Sequence, residues 1–147
     1  MMITIDISGY RTLNIENVVF DFNGTIAEDG MIIEEVKELM FDLANKGVGI
    51  FVLTADTNGS VENECVGLPL KVEIFNQGNA LSEKKKVVER LGSDGTVAFG
   101  NGRNDIEMFK SSALSIGVMG SEGLFSKSII EADIIVNNRS EERRVGK

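Results

Sequence analysis

The chain opens on an alternating pattern: Ile3, Ile5 and Ile7 are separated by Thr4 and Asp6, and Ser8-Gly9 then turns into Tyr10 to Ile15. Period-two apolar spacing broken by a turn pair predicts an N-terminal β-hairpin. After it the pattern changes. Val18 to Phe22 is a nearly all-apolar run, as expected for a parallel strand covered on both faces. Val36, Leu39, Met40 and Leu43 recur at i, i+3, i+4 and i+7, which predicts a helix over 34–46 that stops at Gly47. Val48 to Leu53 is a second buried strand ending at Thr54, with a short helix expected after Asp56-Thr57, and Val72 to Phe75 is a third strand. Ser82 is expected to cap a helix in which Val87, Val88 and Leu91 face inward and Gly92 ends the run. Thr96 to Phe99 and Leu114 to Val118 supply a fourth and fifth strand with a short helix between them. Leu124, Phe125, Ser128, Ile129 and Ala132 then form one helical face before a last strand at Asp133 to Val136.

Strands alternating with helices predict an α/β fold: an open, mainly parallel sheet with helices on both faces. The expected organisation is a single core over residues 16–137, with the hairpin of residues 1–15 as an extension and residues 138–147 as a charged tail.

Composition narrows the chemistry. With 147 residues, 42% hydrophobic and 26% charged, the chain is sized and balanced as one ordinary globular domain. A net charge of -8 disfavours nucleic acid and anionic membranes as partners, and any phosphorylated substrate then needs a local cation or lysine. The chain has no histidine, which removes Ser-His-Asp and Cys-His catalysis and His-ligated zinc. The single cysteine, Cys65, can form neither an intrachain disulfide nor a thiolate cage. Apolar runs are too short for a membrane span, and the N-terminus lacks the basic flank and cleavage site of a signal peptide, so a cytoplasmic location is expected.

Polar residues gather at the carboxyl ends of the expected strands: Asp21 and Asn23 after the first, Thr54 and Asp56 after the second, and Asn101 to Asp105 after the fourth. In an open α/β sheet ligands bind outside those ends, where the strand order reverses. Each turn taken alone could be no more than capping chemistry, and Asp56 in particular has the character of a helix cap. Three such turns in order predict one shared site.

The type and spacing of these residues resemble the haloacid dehalogenase (HAD) superfamily. Asp21-Phe22-Asn23-Gly24-Thr25 stands where that family has Asp-x-Asp-Gly-Thr, Val52-Leu53-Thr54 where it has a Ser or Thr ending an apolar strand, and Gly100-Asn101-Gly102-Arg103-Asn104-Asp105 where it has Gly-Asp-Gly-x-Asn-Asp. The family lysine that opens a helix corresponds to Lys84 or to its neighbour Lys85. Leu53-Thr54-Ala55-Asp56 is similar to the Thr-Gly-Asp loop of P-type ATPases, and the short distance from Thr25 to the first helix resembles their soluble, capless relatives.

The resemblance implies a HAD-like, Rossmannoid sheet without a cap domain and a magnesium-dependent phosphohydrolase. In that reading Asp21 attacks phosphorus to form an aspartyl-phosphate, Thr54 and Lys84 hold the transferring phosphoryl group, and Gly24, Thr25, Ala55 and Asp56 border the substrate. Magnesium is bound by Asp21, the Asn23 carbonyl, Asn101 and Asp105. Implied substrates are phosphorylated small molecules or phosphoproteins, and a large substrate or a second copy of the chain would cover a capless site. Two positions depart from the pattern. Asn23 stands where family phosphatases have a general acid-base, so slow turnover is expected. Asn101 stands where they have an Asp, which weakens the metal's anionic surroundings. These losses also admit a catalytically degenerate, partner-binding or regulatory module as the alternative. A two-component receiver is disfavoured, since Asp21 lies on the first core strand rather than the third.

Overall fold

The computed structural model describes residues 3–9, 11–55, 59–120 and 131–137. Strands β1 (Ile3–Ile7) and β2 (Arg11–Ile15) form the expected antiparallel hairpin, with Ile3 opposite Ile15 and Ile7 opposite Arg11. Then come β3 (Asn17–Asp21), β4 (Ala27–Glu28), β5 (Met31–Ile32), α1 (Glu34–Asn45), β6 (Gly49–Thr54), α2 (Ser60–Glu64) and β7 (Lys71–Ile74). The remaining elements are α3 (Ala80–Leu91), β8 (Thr96–Gly100), α4 (Ile106–Ser111), β9 (Leu114–Met119) and β10 (Ile134–Asn137). The expected helical face from Leu124 to Ala132 falls almost wholly outside the described residues, as do Asp56-Thr57 and the 138–147 tail.

Among the described residues six strands form one sheet in the order β10-β9-β8-β3-β6-β7, with every neighbouring pair parallel. The chain runs outward from β3 through β6 to β7, then returns to the other side of β3 as β8. The reversal therefore flanks β3, and the crevice it opens lies at the carboxyl end where Asp21 sits.

Alternation along β3 separates the two layers. Val18 and Phe20 pack with Val36, Met40 and Leu43 of α1 on one face, together with Leu13 and Ile15 of the hairpin. Val19 packs on the other with Val87 and Val88 of α3 and Met108 and Phe109 of α4. Burial on both sides is why β3 reads as a continuous apolar run. Gly47 ends α1 with φ 83°, and the Gly47 and Val48 amides donate to the Ala44 and Leu43 carbonyls at 3.0 and 3.1 Å, the paired bonds of a Schellman turn.

Two local expectations differ from what is found. Helix α3 starts at Ala80 rather than after Ser82, and the Ser82 hydroxyl donates to the Asn79 carbonyl at 3.1 Å from within the first turn. Ala80 is fully buried, so its small side chain lets the helix begin close against its neighbours. The β4–β5 hairpin was not expected. Its turn is Asp29-Gly30, with φ 52° and 79°, the two positive angles a type I′ turn requires.

Candidate active site

The loop leaving β3 is wound tightly around one carbonyl. The Thr25, Ile26 and Ala27 amides all donate to Phe22 O at 3.1–3.2 Å, and the Gly24 amide donates to Ala27 O at 3.0 Å, with Gly24 at φ 79°. Asp21 closes the strand below this knot with its side chain 18% exposed, while Asn23 is exposed at the rim. Thr25 is buried, and its hydroxyl donates to Asn101 Oδ1 at 3.3 Å, which joins the loop after β3 to the loop after β8.

The loop after β8 is organised by Asp105. Its Oδ2 accepts the Asn101 and Gly102 amides, each at 3.0 Å, and its side chain is fully buried. The approach is so close that any β-carbon at Gly100 would collide with this carboxylate. Asp105 Oδ1 turns the other way and accepts from Lys84 Nζ at 2.9 Å; the same ammonium donates to Asp21 Oδ1 at 3.1 Å. Lys84 is thus buried between two carboxylates contributed by two different strand ends.

Of the two lysines left open by sequence, it is Lys84 that reaches the site. Ala80, Lys84, Val87, Val88 and Leu91 lie at i, i+4, i+7, i+8 and i+11, one stripe of α3, and Lys85 falls beside it. Helical spacing back from Val87 and Val88 was the available signal. Thr54 is buried at the end of β6, the neighbour of β3, with Ala55 half-buried after it, so both border the same crevice. Asp56 lies outside the described residues. Arg103 is exposed in the β8 loop.

No family model matches the chain. A Methanocaldococcus jannaschii protein described as uncharacterized is 36% identical over 73 residues, covering 47% of this chain and 78% of that protein. A soluble P-type ATPase-like phosphatase of the same organism is 27% identical over 140 residues, 91% of this chain and 50% of its own length. The chain therefore spans about half of that relative. Among solved structures, a HAD family hydrolase from Streptomyces avermitilis matches with a TM-score of 0.67 at 18% identity, covering 83% of this chain and 75% of the other. The chain has the fold of haloacid dehalogenase (HAD) family hydrolases. The 3-deoxy-D-manno-octulosonate 8-phosphate phosphatase of Moraxella catarrhalis, solved with magnesium, phosphate and a KDO molecule, shares the HAD fold at a TM-score of 0.64 and 15% identity, covering 83% and 76% of the two chains.

Electrostatics of this site follow from two acids sharing one base. Burial and the Asp105 carboxylate push Asp21 up to about 7, against the opposing pull of Lys84. Burial by itself would lower Lys84, but Asp21 and Asp105 outweigh it and hold the ammonium above its ordinary value. With both acids ionised the trio carries a net charge of -1, which a divalent cation would relieve. The donor set suits a hard, oxygen-seeking ion: carboxylate, amide and backbone carbonyl oxygens, with no sulfur or imidazole. Among the described residues no three acidic or His/Cys side chains converge, so such an ion would also lean on neutral oxygens and its own waters. Asp105 is the least free of the candidate ligands, because three hydrogen bonds already occupy its two oxygens.

One prediction concerns pH. The native state retains a proton on Asp21 that the unfolded chain has released, so without divalent ions stability falls as pH rises from about 4 to about 7. Raising this carboxyl from 3.8 to about 7 costs the folded state on the order of 4 kcal/mol above pH 7. D21N is expected to melt above wild type at pH 8, with the gap narrowing toward pH 4. Thermal melts across that range in EDTA check it; an equal gap at every pH would refute the assignment.

Proposed function

We propose that this protein is a phosphohydrolase that works through an aspartyl-phosphate on Asp21. The observation that carries the reading is the Asp21–Lys84–Asp105 trio at the strand-order reversal. Lys84 holds one Asp21 oxygen in place, and the partly exposed side of the carboxylate is left to meet a phosphoryl group. An Asp21 oxygen attacks phosphorus, the bond to the leaving oxygen breaks, and Lys84 offsets the charge that gathers on the phosphoryl oxygens. Thr54, on the adjoining strand end, supplies a hydroxyl for the same group. Asp105 acts from behind as the anchor that fixes Lys84 and the β8 loop.

Magnesium fits the hard-oxygen donors and the uncompensated charge, and Asp21, the Asn23 carbonyl and Asn101 would hold it, with Asp105 bearing on it from behind. When bound it would neutralise the phosphoryl oxygens and favour ionised Asp21. Asn23 can neither donate a proton to the leaving group nor take one from water. Substrates whose leaving groups depart without a proton, such as acyl phosphates and nitrophenyl phosphate, are therefore favoured. The small β4–β5 hairpin continues from the Asp21 loop, and the substrates in this reading are phosphorylated small molecules or a phosphorylated protein segment.

Hydrolysis of acetyl phosphate or p-nitrophenyl phosphate with magnesium tests the reading. D21N should lose turnover and the acid-stable phosphoryl label; equal rates in wild type and D21N would overturn it. A non-catalytic module is the second reading, favoured by the loss of acidic groups at both Asn23 and Asn101. Failure of wild type to bind magnesium and beryllofluoride, together with a stable partner, would select it.

A further inference from the structure

Glu64, the last residue of α2, belongs to none of the motifs that build the site. A carboxylate at a helix C-terminus opposes the helix dipole, so its position there is not explained by its own helix. Its side chain is 21% exposed, and Oε2 accepts the Ile32 amide of β5 at 2.9 Å, with Lys37 Nζ of α1 at 3.8 Å. The next amide, Ile33 N–H, donates to Ile26 O at 3.0 Å, so by strand alternation the Ile32 N–H faces the opposite edge of the hairpin. Without Glu64 that half-buried donor would have no partner among the described residues.

What the bond connects gives it a consequence. The hairpin begins at Ala27, which bridges Asn23 and takes the Gly24 amide, so it is continuous with the loop after Asp21. Helix α2 follows the Thr54-Ala55 strand end and is seated by buried Val61, with Cys65 buried just beyond it. We propose that Glu64 is a positioning residue: its carboxylate clamps the β4–β5 hairpin, which continues from the Asp21 loop, to α2, the helix that follows the Thr54 strand in sequence, so that the two are held as one unit. The clamp deepens the phosphohydrolase reading and rests on it for its kinetic effect. Because Phe22 O independently holds three amides of the Asp21 loop, loosening the hairpin should disturb substrate capture more than the attacking carboxylate.

The test compares E64A, E64Q and K37A in the full chain. Amide hydrogen exchange should show Ile32 exchanging at least about tenfold faster in E64A, the size expected for losing a bond to a charged acceptor. With p-nitrophenyl phosphate, KM should rise several-fold while kcat stays within about twofold. E64Q retains an acceptor oxygen and should restore both readouts; K37A, which removes the Lys37 ion pairs to Glu34 and Glu64 but leaves the Ile32 bond, should match wild type. Unchanged Ile32 exchange in E64A, an unchanged KM despite faster exchange, or E64Q behaving like E64A would each overturn the clamp. Equal turnover by wild type and D21N would instead sink the phosphohydrolase reading, and Ile32 exchange would still decide whether the clamp exists.

Discussion

K84M is expected to destabilise the protein by about 3–5 kcal/mol at pH 8 in the absence of metal, the cost of removing one partner from a buried ionic contact. The methionine fills most of the volume, so lost packing contributes little. The cost comes from leaving Asp21 and Asp105 facing each other with no cation between them. For a chain of 147 residues this corresponds to a fall in Tm of about 10–15 °C. Acid should rescue it, because a proton on Asp21 removes the repulsion between the two side chains; near pH 5 the deficit relative to wild type should shrink to less than half. Magnesium should rescue it as well, and by a larger margin than it stabilises wild type. Activity should not return with stability, since in the proposed cycle the ammonium also acts on the phosphoryl group. Calorimetry at pH 5 and 8, with and without magnesium, separates these effects. A deficit that does not depend on pH would mean that Lys84 contributes through packing alone.

N23D is the second substitution with a large expected effect, in the opposite direction. General acid-base groups typically contribute about 10²–10⁴-fold. A gain of at least about tenfold is therefore expected on alkyl phosphate esters, and little gain on acetyl phosphate, whose leaving group needs no proton. Asn23 is exposed at the rim of the knot around Phe22 O, so the new carboxylate escapes the burial that raises Asp21 and folding should be little affected. Steady-state rates on paired ester and acyl substrates decide the matter. Equal gains on both classes would show that the introduced carboxylate acts on the metal or on Asp21 rather than as a proton donor.

The layered fold was legible because its strands announce themselves through burial. Val18 to Phe20 is apolar on both faces, and the helices pack with regular spacing against it. The β4–β5 hairpin escaped notice because its strands are two residues long, too short for alternation to register, although Asp29-Gly30 carried the turn chemistry. The choice between Lys84 and Lys85 was also written in the helix period, but a charged residue on an apolar stripe argues against burial until its partners are known. Those partners come from Asp21 and Asp105, which lie 63 and 21 residues away in sequence. Asp105 illustrates the same limit. Its position in the motif marks it as acidic and as a candidate metal ligand, whereas its grip on the backbone of its own loop depends on how Gly100 lets the chain approach. Glu64 carried no local signal at all, since the amide it binds belongs to a strand 32 residues earlier.

The bond from the Gly102 amide to Asp105 also bears on how the protein ages. Asparagine followed by glycine loses its side-chain amide when the glycine nitrogen attacks the asparagine carbonyl carbon, closing a ring that water later opens. At Asn101-Gly102 that nitrogen is turned toward the Asp105 carboxylate at 3.0 Å, and Asn101 itself is buried. Ring closure would require the bond to break and the loop to rotate. The carboxylate that orders the site thus also protects the asparagine beside it from spontaneous conversion to an acid, for as long as the chain stays folded.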